Sequence, residues 1–205
     1  MGGKMPWPFI YLASASPRRH EILCQMGVPH EVLHVPAPEG EDEPILPGEA
    51  PEHYVARTAR EKAERASQWL SRQAHLRVDT PILCADTTVS LNNDILGKPA
   101  NLAEAARMLE RLSGTTHEVR TAVVLVVSQR SIERVSVSHV TFCKLSKNDI
   151  QEYCLSGEPM GKAGAYGIQG RAGMFIQHLS GSYTGVMGLP MYETSELLKL
   201  LSSCP

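Results

Sequence analysis

The sequence predicts one α/β domain over residues 1–205, with a mixed, elongated β-sheet flanked by helices and a ligand cleft at the ends of its strands. Three observations carry that prediction. Helical and strand patterns alternate along the chain with no linker between them. Hairpin signals interrupt the strand–helix alternation, which favours a mixed sheet over a purely parallel one. The composition, 42% hydrophobic and 20% charged, is ordinary globular usage and supplies enough apolar residues for a sizeable core.

The totals also exclude partners. A formal net charge of −2 gives no global basic field, so neither nucleic acid nor a membrane surface is an expected partner, and any polyanion must be met by a local cationic cluster. No apolar run approaches a membrane span. Residues 1–8 read as an N-terminal extension without the apolar core of a signal peptide. Cys24, Cys84, Cys143, Cys154 and Cys204 contain no Cys-x-x-Cys, and an odd number cannot fully pair. Reduced thiols in a cytoplasmic protein are expected.

Phe9-Ile10-Tyr11-Leu12 reads as a short buried strand, and a helix begins at Pro17, with Ile22, Leu23 and Met26 on one face and Gly27 as its stop. Ser16 is the expected N-cap, which places Arg18 and Arg19 in the first turn. A helix macrodipole disfavours cations there, so an anion held between the helix amides and the guanidinium groups is the expected reason for the pair. Glu31 to Val35 reads as the second strand. His30-Glu31-Val32-Leu33-His34 matches the zinc protease pattern, but that motif works only on a helix. In a strand the two histidines stand about 13 Å apart at roughly 3.3 Å per residue, so the protease reading is rejected.

The loop from Pro36 to Pro51 carries Glu39, Glu41, Asp42, Glu43 and Glu49, one of which could turn inward to hold a divalent cation. Pro51 opens a long helix to about Arg72, with an apolar stripe through Tyr54, Val55, Thr58, Ala59, Ala66, Trp69 and Leu70. Glu61 and Arg65 are spaced to pair on its wet face. Pro81 to Ala85 is an apolar strand expected to end at Asp86-Thr87-Thr88, and a carboxylate there is costly unless paired or metal-bound. Asp86 is therefore the best candidate general base or metal ligand in the chain. Val89 to Leu96 reads as a hairpin turning at Asn92-Asn93, whose return strand brings Lys98 near Asp86.

Asn101 and Glu104 start a helix that Ser113-Gly114 stop, and Val119 to Val127 is a β-branched strand. Ile132 to Phe142 alternates, with Ile132, Val135 and Val137 and then Val140 and Phe142 as its apolar positions and a slip near Ser138-His139 that suggests a bulge. Ser146 and Asp149 cap a helix through Leu155. Glycines at 161, 164, 167, 170 and 173 then recur every third residue, too briefly for collagen. They read as a tight loop that approaches a ligand or another segment, where Gln169 is placed to read a base edge. Met174 to Leu179 is a last strand, and Pro190 opens a last helix that buries Leu197, Leu198 and Leu201.

Ser14-Ala15-Ser16-Pro17-Arg18-Arg19, Ala85-Asp86-Thr87, Gly97-Lys98-Pro99, Ser113-Gly114 with His117, Ser156-Gly157-Glu158-Pro159 and Lys162 to Gly170 together resemble the Maf family of nucleoside triphosphate pyrophosphatases. The resemblance runs from about Ile10 to Leu200. It implies a Maf/inosine-triphosphatase-like fold with a nucleotide-binding cleft, a nucleoside triphosphate substrate, a divalent cation such as Mg²⁺ or Mn²⁺, and a homodimer. The reaction it implies is hydrolysis between the α- and β-phosphates. By motif match Asp86 is the base that activates water; Arg19, Lys62 and Lys98 hold the triphosphate; Arg18, Thr87 and Gln169 tune base selection; and Ser14 and Ser16 belong to the substrate-binding loop. An ungapped match selects Glu39 as a metal ligand beside Asp86, while a shifted gap selects Glu41 or Glu43.

The chain looks like the branch acting on dTTP and UTP. Relatives acting on 7-methyl-GTP carry a tryptophan just before the paired arginines and Ser-Asp-Gln in place of Ala85-Asp86-Thr87. That specificity is one alternative, and a nucleotide-binding regulator of cell division is the other. No Walker A loop or Gly-x-Ser-x-Gly elbow suggests different chemistry.

Overall fold

A ten-residue strand, β3 (Ile82–Leu91), runs through the middle of the computed structural model, which describes residues 7–38, 43–128 and 130–202. One edge of β3 pairs antiparallel with β5 (Thr116–Val127), from Ile82 opposite Val126 to Ser90 opposite Glu118. The other edge is divided. β1 (Ile10–Leu12) pairs parallel with Ile82 and Leu83 at one end, and β4 (Asp94–Leu96) pairs antiparallel with Val89 to Leu91 at the other. Among the described residues no strand pairs with positions 84–88 on that edge. β2 (His30–Val32) lies parallel outside β1, and β6 (Arg130–Phe142) and β7 (Ile176–Ser180) extend the far side antiparallel. The result is the expected mixed sheet, built from seven strands.

The two-residue period of β3 decides what lies above and below it. Cys84 faces α2 (Pro51–Leu70), whose Val55, Ala59, Ala63 and Ala66 close a core with Tyr11, Ala122 and Val124. Leu83 and Ala85 face the opposite side, where α1 (Pro17–Gln25) and α6 (Met191–Ser202) contribute Ile22, Leu23, Leu197 and Leu198. At the far end of the strand Val89 and Leu91 join Phe142, Tyr166, Leu109 and Tyr153 around α3 (Leu102–Leu112) and α4 (Lys147–Leu155). The predicted caps are present. Asn101 Oδ1 accepts from the Glu104 amide at 2.9 Å, and Ser146 with Asp149 forms a reciprocal capping box.

Several expectations need correction. The strand expected to stop at Asp86 continues to Leu91, because Thr87, Thr88 and Val89 suit a strand and β5 keeps pairing beside them. In β6 Val140 and Phe142 are buried as expected, but before them the faces are reversed: Ser136 and Ser138 are buried, while Val135 and Val137 are each 40% exposed. The reason is an unpredicted helix, α5 (Tyr183–Met187), seated on that face. A Cβ at Gly185 would stand 3.2 Å from Ser136 Oγ, so the approach needs small residues on both sides, and Ser138 Oγ accepts from the Ser182 amide at 2.9 Å. Pairing between β5 and β6 is unbroken from Thr116–Thr141 to Val127–Arg130; the irregularity lies against β7, at Thr141/Phe142. β2 spans His30–Val32 rather than 31–35, and a 3₁₀ turn (Arg171–Phe175) delays the last strand to Ile176.

His117 is the one buried imidazole of this core, edge-on to Phe142 and Tyr166, with Nε2 2.8 Å from the Tyr166 hydroxyl. Burial lowers its pKa to about 4, against about 6.5 for an unperturbed histidine. Between those values the unfolded chain holds a proton that the folded chain refuses, so stability present above pH 6.5 is lost as pH falls toward 4. Urea unfolding at pH 7, 6, 5 and 4.5 should show a loss of about 1.4 kcal/mol per pH unit once below the upper value, and His117→Gln should remove most of that slope.

Candidate active site

Where β1 leaves the edge of β3 and before β4 takes it up, the sheet opens into a cleft of about 520 Å³. Asp86 and Thr87 stand on the uncovered part of the edge, and because successive side chains alternate, they serve opposite faces of the sheet. Asp86 lies on the α2 side, 3% exposed, with Oδ1 2.6 Å from Lys62 Nζ and Oδ2 2.9 Å from Thr58 Oγ1. Burial alone would push its carboxyl upward, but the Lys62 ammonium, the Arg19 guanidinium and the Thr58 hydroxyl together hold it below the usual carboxylate range. Asp86 is therefore an anion at neutral pH. The neighbouring Cys84 thiol is pushed up to about 12 by burial and offers no nucleophile there.

The paired arginines find their counter-charge in an unexpected place. Arg18 Nε donates to Met187 O at 3.2 Å and Arg19 Nε to Gly188 O at 2.8 Å, so the carbonyl end of α5 faces the amide end of α1. The helix end that disfavours cations is thus offset by one that favours them. Arg19 also reaches Ser14 Oγ at 3.1 Å and Thr87 Oγ1 at 3.4 Å. Thr121 donates to Gly185 O at 2.7 Å, which leaves Thr87 to donate to Thr121 at 2.9 Å and to accept from Arg19. Ser16 occupies the N-cap position without a side-chain cap bond, and the Ser14 hydroxyl accepts from the Ser16 amide at 3.2 Å.

Across the cleft the described end of the acidic loop, from Glu43 onward, folds inward. Arg57 grips Glu49 at 2.6 and 2.7 Å and Pro44 O at 2.8 Å, and Tyr54 donates to Glu43 O at 3.0 Å. These bonds aim the Glu43 carboxylate at Lys62, which it contacts directly, with Lys98 Nζ 3.5 Å from its other oxygen. Arg57 also takes Glu61 at 3.0 Å, the partner that the sequence had suggested for Arg65. The glycine run forms the last wall. Gly164 holds φ +66°, its amide bonds to Gly97 O at 3.1 Å, and a Cβ there would strike Val89 Cγ1 at 2.8 Å. Close approach is thus what its position requires, and it leaves Lys162 and Gln169 lining the cleft.

Ser14, Ser16, Arg18, Arg19, Lys62, Asp86, Thr87, Lys98 and Gln169 all line this one cleft, as does Glu43. Glu39 and Glu41 lie outside the described residues. The sequence reading missed three contributions. Thr58 was assigned to the apolar stripe, although its four-residue spacing from Lys62 puts both on one face of α2. Lys162 sat unassigned in the glycine run, and the α5 carbonyls carry no sequence signal, since glycine occupies two of the positions involved.

A family model described as Maf-like protein matches residues 9–201. The chain belongs to the Maf family. A curated relative from Bordetella avium, named dTTP/UTP pyrophosphatase, is 59% identical over 192 residues, 94% of this chain and 94% of that protein. One of the same name from Polaromonas sp. is 52% identical over 194 residues, 93% of this chain and 95% of that one. A solved structure titled nucleoside-triphosphatase / dITP/XTP pyrophosphatase, from Mycobacterium abscessus, overlaps 67% of this chain and 76% of its own at 17% identity, with a TM-score of 0.41.

The cation cluster of this Maf cleft makes a metal-free prediction. Tripolyphosphate should bind there, and Arg19→Met should weaken it by about 2 kcal/mol, or roughly 30-fold, through loss of charge-assisted hydrogen bonds. Asp86→Asn should tighten it by removing a like charge. Calorimetry at low and moderate salt checks both, with the affinity falling as salt rises.

Proposed function

We propose that this protein is a nucleoside triphosphate pyrophosphatase that hydrolyses dTTP and UTP to the monophosphate and pyrophosphate. The observation that carries the reading is the buried Asp86 carboxylate, held by Lys62 inside a cleft lined by Arg18, Arg19, Lys98 and Lys162. The names of the 59% and 52% identical relatives support the substrate. So does Pro17 immediately before the arginines, with Ala85-Asp86-Thr87 in the second motif, where the 7-methyl-GTP branch differs.

The proposed divalent cation is tested by its donor set. Asp86 and Glu43 both contact Lys62 Nζ, so two hard carboxylate donors flank one point from which a cation and a triphosphate can displace the ammonium. They fit Mg²⁺ or Mn²⁺, which when bound neutralises charge on the phosphate oxygens. Glu39, implied by the ungapped match, remains a proposed further ligand. The four described cysteines are free, in keeping with a cytoplasmic setting, and no described helix is long and apolar enough to cross a membrane. A homodimer is proposed from the family resemblance.

The residues then divide the work. Arg19, Lys62 and Lys98 hold the triphosphate, Ser14 and Ser16 hydrogen-bond it from the loop, and Arg18, Thr87 and Gln169 face the base. In the free protein Asp86 is too well stabilised as an anion to be a strong base. Phosphate oxygens arriving at Lys62 draw that ammonium away and bring negative charge close, and before a cation engages the carboxylate both effects raise the basicity of Asp86. The carboxylate then accepts a proton from the attacking water as the α–β phosphoanhydride breaks and pyrophosphate leaves. Substrate binding thereby switches on its own base.

A triphosphate panel with Mg²⁺ or Mn²⁺, read out as pyrophosphate release, should show dTTP and UTP as preferred substrates. Preferential turnover of 7-methyl-GTP would overturn the base assignment. Asp86→Asn should lower kcat by about 10³-fold while triphosphate binding survives. Unchanged turnover in that variant would remove Asp86 from the mechanism.

A further inference from the structure

Outside the nucleotide cleft, His20 and Cys24 stand one helical turn apart on the outer face of α1, and His30 opens β2 directly opposite them. Each supplies one donor atom, and the three donors lie within 4.8 Å of one another. Among the described residues this is the one such group of three histidine, cysteine or carboxylate side chains. We propose that His20, Cys24 and His30 form a binding site for a borderline transition-metal ion of the zinc class, clamping α1 to the edge strand β2.

The hydrogen bonds show that the donors are prepared for a cation. His30 Nδ1 lies 2.7 Å from Val28 O. A carbonyl only accepts, so Nδ1 carries the proton and Nε2 presents its lone pair toward His20. This is the orientation that metal-bound histidines take, with the remote ring N–H fixed by a carbonyl. His20 Nδ1 is 2.8 Å from that lone pair and donates to it in the free protein; a bound ion takes the place of that proton, and His20 then carries its proton on Nε2, which lies 3.6 Å from Cys24 Sγ. The Cys24 thiol closes the chain as its only removable proton.

The geometry suits the ion. Zinc–nitrogen and zinc–sulfur bonds of about 2.0–2.1 and 2.3 Å at a tetrahedral angle put ligand nitrogens about 3.3 Å apart and nitrogen and sulfur about 3.6 Å apart. From the present spread the set is reached by rotating the exposed His20 and Cys24 side chains toward the half-buried His30. On binding, the thiol releases its proton to solvent as the metal–sulfur bond forms, and a fourth position stays open to water. Two imidazoles and a thiolate select zinc-class ions over Mg²⁺ or Mn²⁺, which separates this site from the carboxylates of the cleft. The same His30 belongs to the rejected protease pattern. Its partners come from the neighbouring helix, while His34 lies further along the same extended segment.

Tag-free protein, stripped with a chelator and held in excess Mg²⁺, should be titrated with Co²⁺ and then Zn²⁺. The expected result is a thiolate-to-cobalt charge-transfer band saturating at one equivalent per chain, displaced by Zn²⁺, together with a Zn²⁺-dependent rise in Tm. Cys24→Ser should abolish the band and the Tm rise, and His30→Gln should weaken affinity more than about 100-fold, while both variants keep the metal-stripped protein's Mg²⁺-supported turnover. No charge-transfer band at saturating Co²⁺, or a band that survives Cys24→Ser, would overturn the proposal. If that variant does not fold, His30→Gln decides alone, and unchanged Co²⁺ affinity in it overturns the site.

Discussion

The contact between Asp86 and Lys62 is the constraint around which this fold is arranged. A carboxylate in the middle of a central strand is an expensive residue to bury, and it persists only where cations and donors surround it. The sheet meets that demand by leaving one edge of β3 open between β1 and β4. α2 brings Thr58 and Lys62 over the gap from one face, and Arg19 closes it from the other. Opening the edge exposes the charge to a ligand; surrounding it keeps the charge stable without one.

Two helix ends solve the companion problem of holding guanidinium groups at the start of α1. α5 presents Met187 and Gly188 carbonyls to them, and the hydroxyls of Thr87 and Thr121 link that helix back to β3. Arg19 is thus fixed by main chain and strand together before any phosphate arrives. Arg18 has one bond to Met187 O and is the freer of the two, in keeping with a proposed role at the base. On the opposite wall Arg57 does for the acidic loop what α5 does for the arginines, and Glu43 is delivered beside Lys62.

Most of this was legible from local patterns. Pro17 at the helix start, the Asn101 and Ser146 caps, the Asn92-Asn93 hairpin and the apolar stripe of α2 are written in short windows, where propensity and periodicity act. The nine described candidate residues also line one cleft, to which strand–turn–helix and hairpin signals lead the serines, Arg18, Arg19, Asp86, Thr87 and Lys98. The losses were tertiary. Asp86 seemed to end a strand because a charge in an apolar run reads as a boundary, yet β5 continues the pairing past it. Val135 and Val137 read as apolar positions of β6, yet α5 packs on the other face, over Ser136 and Ser138, so closely that larger residues would not fit. Thr58 was counted as core, which it is, and its second contact to Asp86 depends on a strand 28 residues away. The packing of α5 leaves no trace in a local window, while the strand propensity after Asp86 and the Thr58–Lys62 spacing leave faint ones.

In the proposed mechanism Asp86 rests as a stabilised anion and gains basicity when a triphosphate engages Lys62. Its carboxyl carbon can be followed by ¹³C NMR across pH in metal-free protein, alone and with a non-hydrolysable dTTP analogue. The expected midpoint lies below the ordinary aspartate value of about 3.9 in the free protein and moves clearly upward with the analogue. A free midpoint above that value, or one that the analogue leaves in place, would contradict that mechanism.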